Sequence, residues 1–324
     1  MTARMGAGMG ATMGERPMAN NPLAYYPGCS GQGTSKEYDQ STREVCEALG
    51  IRVRDVEDWS CCGSTPAHTV DHGLSTALSL RNFTQTEAMG MSDVTTPCPS
   101  CLKNLKTALA RAKDPVIGPE AERLLGKKLA KEHRVRSVLQ VIYEDVGLEE
   151  LAAKIVKPLG GLKIVPYYGC LMTRPHDLME FDDEENPVSM DTIMEAAGAT
   201  VLPFPLKVEC CGASMAIPRN DAVGRLSGRL LGVADSLGAE AIVVACPLCQ
   251  MNLDLRQGQV NRYNKTTYKI PVFYFTQLLG MALGVPENRL GFDKLVVDPA
   301  TVIKKLRRAG TGTANAKKVT EDAA

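Results

Sequence analysis

The sequence predicts an α/β protein made of two pseudo-symmetric α/β domains with mostly parallel strands, related by internal duplication and joined by a helical linker. Three observations lead to this prediction. Ten of the 11 cysteines recur in one pattern that occurs twice. Short apolar runs alternate with amphipathic segments, as in layered α/β proteins. With 324 residues, the chain is long enough for about two domains.

The repeated pattern is a lone cysteine, a Cys-Cys-Gly and a Cys-Pro-x-Cys. Its members are Cys29, Cys61, Cys62, Cys98 and Cys101 in the first half, and Cys170, Cys210, Cys211, Cys246 and Cys249 in the second. The lone cysteine is separated from the pair by 31 and 39 residues, and the pair from the Cys-Pro-x-Cys by 35 and 34. A duplication explains these intervals, with one loop lengthened in the acidic segment 180–187.

The elements of the second half are the easiest to recognise. Residues 162–168 and 241–245 are short apolar runs and are predicted as strands, the second leading directly into Cys-Pro-Leu-Cys. Residues 190–197 and 221–237 are predicted helices that a glycine ends. Residues 200–206 contain two prolines and are a weaker strand.

The domain boundaries follow from this order. We expect a flexible leader over residues 1–22, a first domain over 23–157 and a second domain over 158–300. The tail, 301–324, is expected to be disordered after about residue 308 because it lacks apolar periodicity. Residues from about 103 to 157 are predicted to be helical and to bridge the halves, and the segment 133–147 within them has helical periodicity.

Composition excludes several classes of function. Lys plus Arg and Asp plus Glu both number 37, so no strong field favours nucleic acid or an anionic membrane. The first twenty residues lack the apolar core of a secretory signal. The apolar segment 270–285 is too short to span a bilayer directly. We therefore expect a cytoplasmic protein, in which reduced cysteines serve metal binding or redox chemistry rather than disulfides.

The cysteine motifs favour a metal cluster. A Cys-Pro-x-Cys after a buried strand lies where a helix begins, and unpaired helix-start amides stabilise thiolate there. A redox dithiol would use the same position, so this motif alone leaves both interpretations open. Five cysteines per half exceed the two of a dithiol and the four of structural zinc. Sulfur-rich ligand sets without histidine are typical of iron–sulfur clusters.

The arrangement resembles the duplicated CCG domain, and residues 271–280 (PVFYFTQLLG) resemble a stretch near the end of the heterodisulfide reductase B chain. The resemblance covers about residues 23–300. It implies that each set of five cysteines holds one non-cubane 4Fe-4S cluster, and that a small-molecule disulfide is cleaved to two thiols between the clusters. It also implies two partners, which are a C-like iron–sulfur subunit that feeds electrons and an A-like subunit that contains flavin.

Two alternatives remain open. The chain can instead be an electron-transfer subunit, like the CCG subunits of glycolate, lactate or glycerol-3-phosphate oxidising complexes, although it lacks their additional ferredoxin-like segment. It can also be a structural zinc module.

Other candidate residues are interpreted conservatively. Cys46 falls outside the pattern, and Met194 occupies the matching place, so Cys46 is expected to be a small buried side chain. His68 and His72 have no counterpart in the second half and are expected on a helix surface. The carboxylates of 180–185 are expected in a solvated loop. Three basic residues near the second cysteine set either offset cluster charge or hold an anionic thiol substrate, or else have surface or salt-bridging roles; they are Arg174, Arg219 and Lys207.

Overall fold

A computed structural model describes residues 21–64 and 67–308, and it contains two four-stranded sheets in which every strand pair is parallel. The expected leader and the last part of the tail fall mainly outside these residues. The two sheets confirm the α/β class and the two similar halves.

The two sheets have the same strand order. The first runs β2-β1-β3-β4 and the second β6-β5-β7-β8, so each places its first and third strands at the centre. The strands of the first sheet are β1 (Leu23–Tyr25), β2 (Val53–Asp55), β3 (Asp93–Thr96) and β4 (Arg134–Ser137). Those of the second are β5 (Lys163–Tyr167), β6 (Thr200–Val201), β7 (Ala241–Val244) and β8 (Val272–Tyr274).

Helices connect the strands, as parallel pairing requires. In the first half they are α1 (Gly28–Gln32), α2 (Lys36–Leu49), α3 (Ala67–Val70), α4 (His72–Ala88), α5 (Pro99–Arg111), α6 (Ile117–Leu125), α7 (Val138–Val141) and α8 (Leu148–Lys154). In the second they are α9 (His176–Met179), α10 (Ser189–Ala196), α11 (Asn220–Ser236), α12 (Pro247–Gln250), α13 (Gln257–Asn264) and α14 (Phe275–Ala282).

Shorter helical turns complete the two halves. Ile142–Val146 and Met251–Leu255 are π-helical. Ala213–Met215, Glu287–Arg289 and Phe292–Lys294 are 3₁₀ turns. Residues 300–308 are helical, so the start of the expected tail is ordered.

One prediction is wrong. The segment 103–157 is not helical throughout, because Arg134–Ser137 forms the edge strand β4, in register with β3. Val135 is buried there, and the buried Arg136 is held by Asp93 and Asp145 at 2.9 and 2.6 Å. The helix α7 begins only at Val138. Apolar spacing alone did not distinguish a four-residue edge strand followed by a helix from one continuous helix.

The last helices of each half pack on a helix of the other half. α14, which follows the last strand of the second sheet, packs on α2 of the first half, and α7 and α8, which follow β4, pack on α10 of the second. At the first contact the rings of Tyr38 and Tyr274 stack with their centroids 4.0 Å apart. The hydroxyls of Ser41 and Thr276 lie 2.7 Å apart beside them. Residues 138–154 therefore act as the predicted bridge, in a shorter form.

None of the helices within residues 21–64 and 67–308 combines the length and the apolar character that crossing a bilayer requires.

Candidate functional site: two five-cysteine groups

Each Cys-Pro-x-Cys lies where a central strand ends and a helix begins. Cys98 is the N-cap of α5 and Cys246 that of α12, and each is followed by proline in the first helical turn. The pKa of Cys98 is lowered by a hydrogen bond with Cys101 and, against the effect of burial, by the backbone N–H groups of Cys101 and Ser100. The predicted strand-to-helix placement is correct in both halves.

Each Cys-Cys-Gly follows the outer strand next to the first central strand and places its first cysteine toward solvent and its second in the interior. Cys61 and Cys210 are exposed, whereas Cys62 and Cys211 are buried at 1% and 3% exposure. Both following glycines adopt positive φ, +73° at position 63 and +83° at position 212. This conformation suits glycine because it has no Cβ, and it lets the chain turn directly after the cysteine pair.

The first five thiols form a continuous group. The sulfurs of Cys62 and Cys101 lie 3.5 Å apart, and Cys98 hydrogen-bonds Cys101. The pKa of Cys61 is raised by its hydrogen bond with Cys62, by burial and, more weakly, by the charge of Cys29. The pKa of Cys62 is lowered by its hydrogen bonds with Cys101 and Cys61. Each of the five cysteines predicted for this half therefore interacts with at least one other member of the group.

The second five thiols form a similar group, in which the first cysteine of the pair bonds the lone cysteine. The sulfurs of Cys211 and Cys249 lie 3.8 Å apart. Cys170 hydrogen-bonds Cys210, which lowers the pKa of Cys210 to about 6 and raises that of Cys170. The pKa of Cys249 is raised by Cys211, then by Cys246 and by burial. Each group thus has two thiols that are exposed or partly exposed and three that are buried.

The glycine before each lone cysteine touches the last thiol of the same group. A Cβ built on Gly28 would lie 2.9 Å from the sulfur of Cys101, and one on Gly169 would lie 2.7 Å from that of Cys249. Both glycines have positive φ, +67° and +71°. Only glycine therefore lets the lone-cysteine loop close over the Cys-Pro-x-Cys.

Sequence reasoning missed a serine and an asparagine that hold each cysteine pair. Ser79 and Asn104 both donate to the carbonyl of Cys62, at 2.8 and 3.0 Å. Ser227 and Asn252 donate to the carbonyl of Cys211, at 2.9 and 3.1 Å. The two serines are 148 residues apart, and so are the two asparagines; the same offset relates Cys98 to Cys246. This shared offset is the sequence signal from which the four residues could have been found.

A tyrosine fixes the residue before each cysteine pair. The hydroxyl of Tyr26 donates to the carbonyl of Ser60 at 2.8 Å, and that of Tyr167 to the carbonyl of Glu209 at 2.7 Å. Each tyrosine lies three residues before its lone cysteine. These bonds tie the loop of the lone cysteine to the loop of the pair.

The three basic candidates are bound to acidic partners. Arg174 pairs with Glu185 at 2.6 Å, Arg219 with Asp221 at 2.8 Å, and Lys207 with Asp191 at 2.6 Å. This agrees with the salt-bridging alternative.

The remaining candidates have ordinary roles. His68 and His72 are exposed, as expected. Cys46 is 2% exposed on α2, and burial raises its pKa to about 12. It is a packed thiol.

The donor atoms of each group are cysteine sulfurs. Within the described ranges 21–64 and 67–308, no three His, Cys, Asp or Glu side chains are arranged to hold a metal ion. The contacts just described join sulfurs to sulfurs, and no histidine or carboxylate takes part in them. Thiol-only sets of this size match iron–sulfur chemistry.

Comparison with known proteins agrees with the duplication. The model of the CCG family, described as the cysteine-rich domain, matches residues 23–106 and 164–254. A solved structure of a hypothetical protein from Helicobacter pylori has the same fold, with a TM-score of 0.67 and 12% identity over 85% of this chain and 52% of that chain. The present chain therefore spans about half the length of that protein.

Curated relatives match over nearly their whole length. The 8-methylmenaquinol:fumarate reductase membrane anchor subunit of Wolinella succinogenes is 35% identical over 85% of this chain and 97% of its own. Heterodisulfide reductase B subunits of Methanosarcina acetivorans and Methanosarcina mazei are 29% and 30% identical, over 90% of this chain and 98% and 99% of theirs. With both halves matched by the family model, the chain belongs to the CCG cysteine-rich domain family and carries that domain twice.

Proposed function

We propose that this chain is the iron–sulfur subunit of an oxidoreductase complex and that each five-cysteine group binds one 4Fe-4S cluster of the non-cubane type. The observation that carries the proposal is that a group of five thiols occurs twice, with an equivalent glycine, serine, asparagine and tyrosine around it. Such repetition supports one function for both groups. It also supports a domain division at residues 157 and 158, with one cluster in each domain.

The activity proposed is the reductive cleavage of a small-molecule disulfide to two thiols. Relatives named as heterodisulfide reductase B subunits, at 29% and 30% identity, support it. When bound, the clusters would supply electrons and iron sites with affinity for thiolate sulfur. The chain's own part is to keep two thiols of each group exposed or partly exposed and to bury the other three, which leaves the exposed thiols as the place of access for a substrate.

The partners proposed are those of such a complex. An iron–sulfur subunit would pass electrons to this chain, and a flavin-containing subunit would belong to the same complex. The complex would lie in the cytoplasm, where thiols stay reduced.

A second candidate is an electron-relay role without disulfide chemistry. The relative at 35% identity is named as the membrane anchor subunit of a fumarate reductase, and this observation favours the relay. In that case the clusters would pass electrons between a partner enzyme and a carrier, and no thiol product would form.

The cluster assignment is tested by anaerobic purification with iron and sulfide quantification and electron paramagnetic resonance. We expect iron and acid-labile sulfide in equal amounts, enough for two four-iron clusters. Cys211→Ser should remove about half of the iron, whereas Cys46→Ser, the matched control outside the pattern, should remove none. Zinc without sulfide would refute the assignment and support the structural zinc module.

The reaction is tested with the reconstituted complex and a panel of small-molecule disulfides. Thiol release that depends on reduced donor, and that Cys211→Ser abolishes, is the expected outcome. Electron transfer to a quinone or fumarate-reducing partner without thiol release from any disulfide would refute the disulfide reductase activity and support the electron-relay role.

A further inference from the structure

Tyr38 connects the first half of the molecule to the cysteine group of the second half. It lies on α2 of the first half and is 2% exposed. Its hydroxyl donates to the carbonyl of Ala245 at 3.1 Å, and Ala245 is the residue before Cys246. A side chain of one half therefore holds the peptide that carries a thiol of the other.

The ring of Tyr38 is held in place by its neighbours. It stacks on Tyr274 with the planes 5° apart, and it meets the edge of Phe275 with the centroids 6.4 Å apart. Stacked and edge-to-face rings of this kind gain energy beyond the area they bury. The hydroxyl therefore has a fixed direction.

Tyr38 also lies near thiols of both groups. Its pKa is raised well above the ordinary value by burial and then by the sulfurs of Cys246 and Cys98. These are the first cysteines of the two Cys-Pro-x-Cys motifs.

We propose that Tyr38 is a positioning residue that couples the two cysteine groups, so that the redox behaviour of the second group depends on a side chain of the first half. The proposal rests on the proposed function for its redox consequence. The bond to the Ala245 carbonyl polarises the peptide that this carbonyl shares with the N–H of Cys246, and a more positive N–H beside the thiol favours the reduced, more negative form. Loss of this bond corresponds to about a five-fold change in the redox equilibrium constant, or about 40 mV toward lower potential for a one-electron couple.

The first test needs no cluster. In the metal-free full chain, Tyr38→Phe keeps the ring but removes the donor, and alkylation of Cys246 should become about five-fold faster because local opening is easier. Cys98, near the same ring but without the bond, should keep its rate. Tyr26→Phe is the matched control, since its hydroxyl binds the carbonyl of Ser60 and its loss should leave Cys246 unchanged. An unchanged rate at Cys246 in Tyr38→Phe would overturn the positioning role.

The second test uses the cluster-loaded protein, with potentials followed by electron paramagnetic resonance and assigned through Cys62→Ser and Cys211→Ser. Tyr38→Phe should keep its iron and lower the potential of the second group only. No shift, or equal shifts in both groups, would overturn the coupling while leaving the proposed function intact. Wild-type protein that binds no iron would overturn the proposed function, and the alkylation rates would still decide the positioning role of Tyr38.

Discussion

Gly169→Ala should destabilise the protein more than a glycine-to-alanine change at an equivalent backbone conformation elsewhere. Gly169 has φ +71° and Gly238 has φ +70°, so alanine meets the same backbone penalty of about 1–2 kcal/mol at both. The entropy that alanine removes from the unfolded chain also cancels in the comparison. The difference lies in the surroundings: a Cβ at 169 would lie 2.7 Å from the sulfur of Cys249, and one at 238 would meet nothing within 4 Å.

The thiol of Cys249 is 5% exposed and cannot swing far, so overpacking should add about 1–3 kcal/mol at position 169. Urea unfolding of the metal-free protein measures the free energy, and iron content after reconstitution measures the effect on the site. We expect Gly169→Ala to lose iron at the second group and Gly238→Ala to retain it. Equal destabilisation of the two variants would refute the close contact between this glycine and the cysteine sulfur.

Three further results are expected. Asn252→Asp should lose about 1–3 kcal/mol of unfolding free energy in urea at neutral pH, because the buried carboxyl must bind a proton before it can donate to the carbonyl of Cys211; a loss relative to wild type that is the same at pH 8 and pH 5 would contradict this. Lys207→Met should lose about 3 kcal/mol by leaving Asp191 without its cation, and adding Asp191→Asn should restore part of the loss. Cys46, with its pKa raised to about 12, should resist alkylation at pH 8 in the folded metal-free protein, as mass spectrometry would show.

Strands with continuous apolar sequence were predicted well. The prediction 162–168 corresponds to Lys163–Tyr167, and 241–245 corresponds to Ala241–Val244. These central strands are buried on both faces, so nearly all of their residues are apolar and the strands can be recognised from composition alone. The edge strand Arg134–Ser137 was missed because two of its four residues are arginines, and its strand conformation depends on pairing with β3 and on the buried ion pairs of Arg136.

The cysteines were found from spacing, but most of their surroundings were not. The offset of 148 residues connects Ser79 with Ser227 and Asn104 with Asn252, yet nothing in their residue type marks them as donors to a cysteine carbonyl. Serine and asparagine on helices are common and are usually solvated. Their role appears only when the helices bring them beside the cysteine pair.

The sequence by itself determined the duplication, the parallel α/β class and the grouping of ten cysteines, because covalent order and hydrophobic pattern are local properties of the chain. Only the tertiary structure decided the packing of the last helices of each half on the other half and the place of Tyr38 beside Ala245, 207 residues away along the chain. Such contacts depend on how two independently patterned surfaces pack. Packing follows from shape and burial in three dimensions, which no single segment encodes.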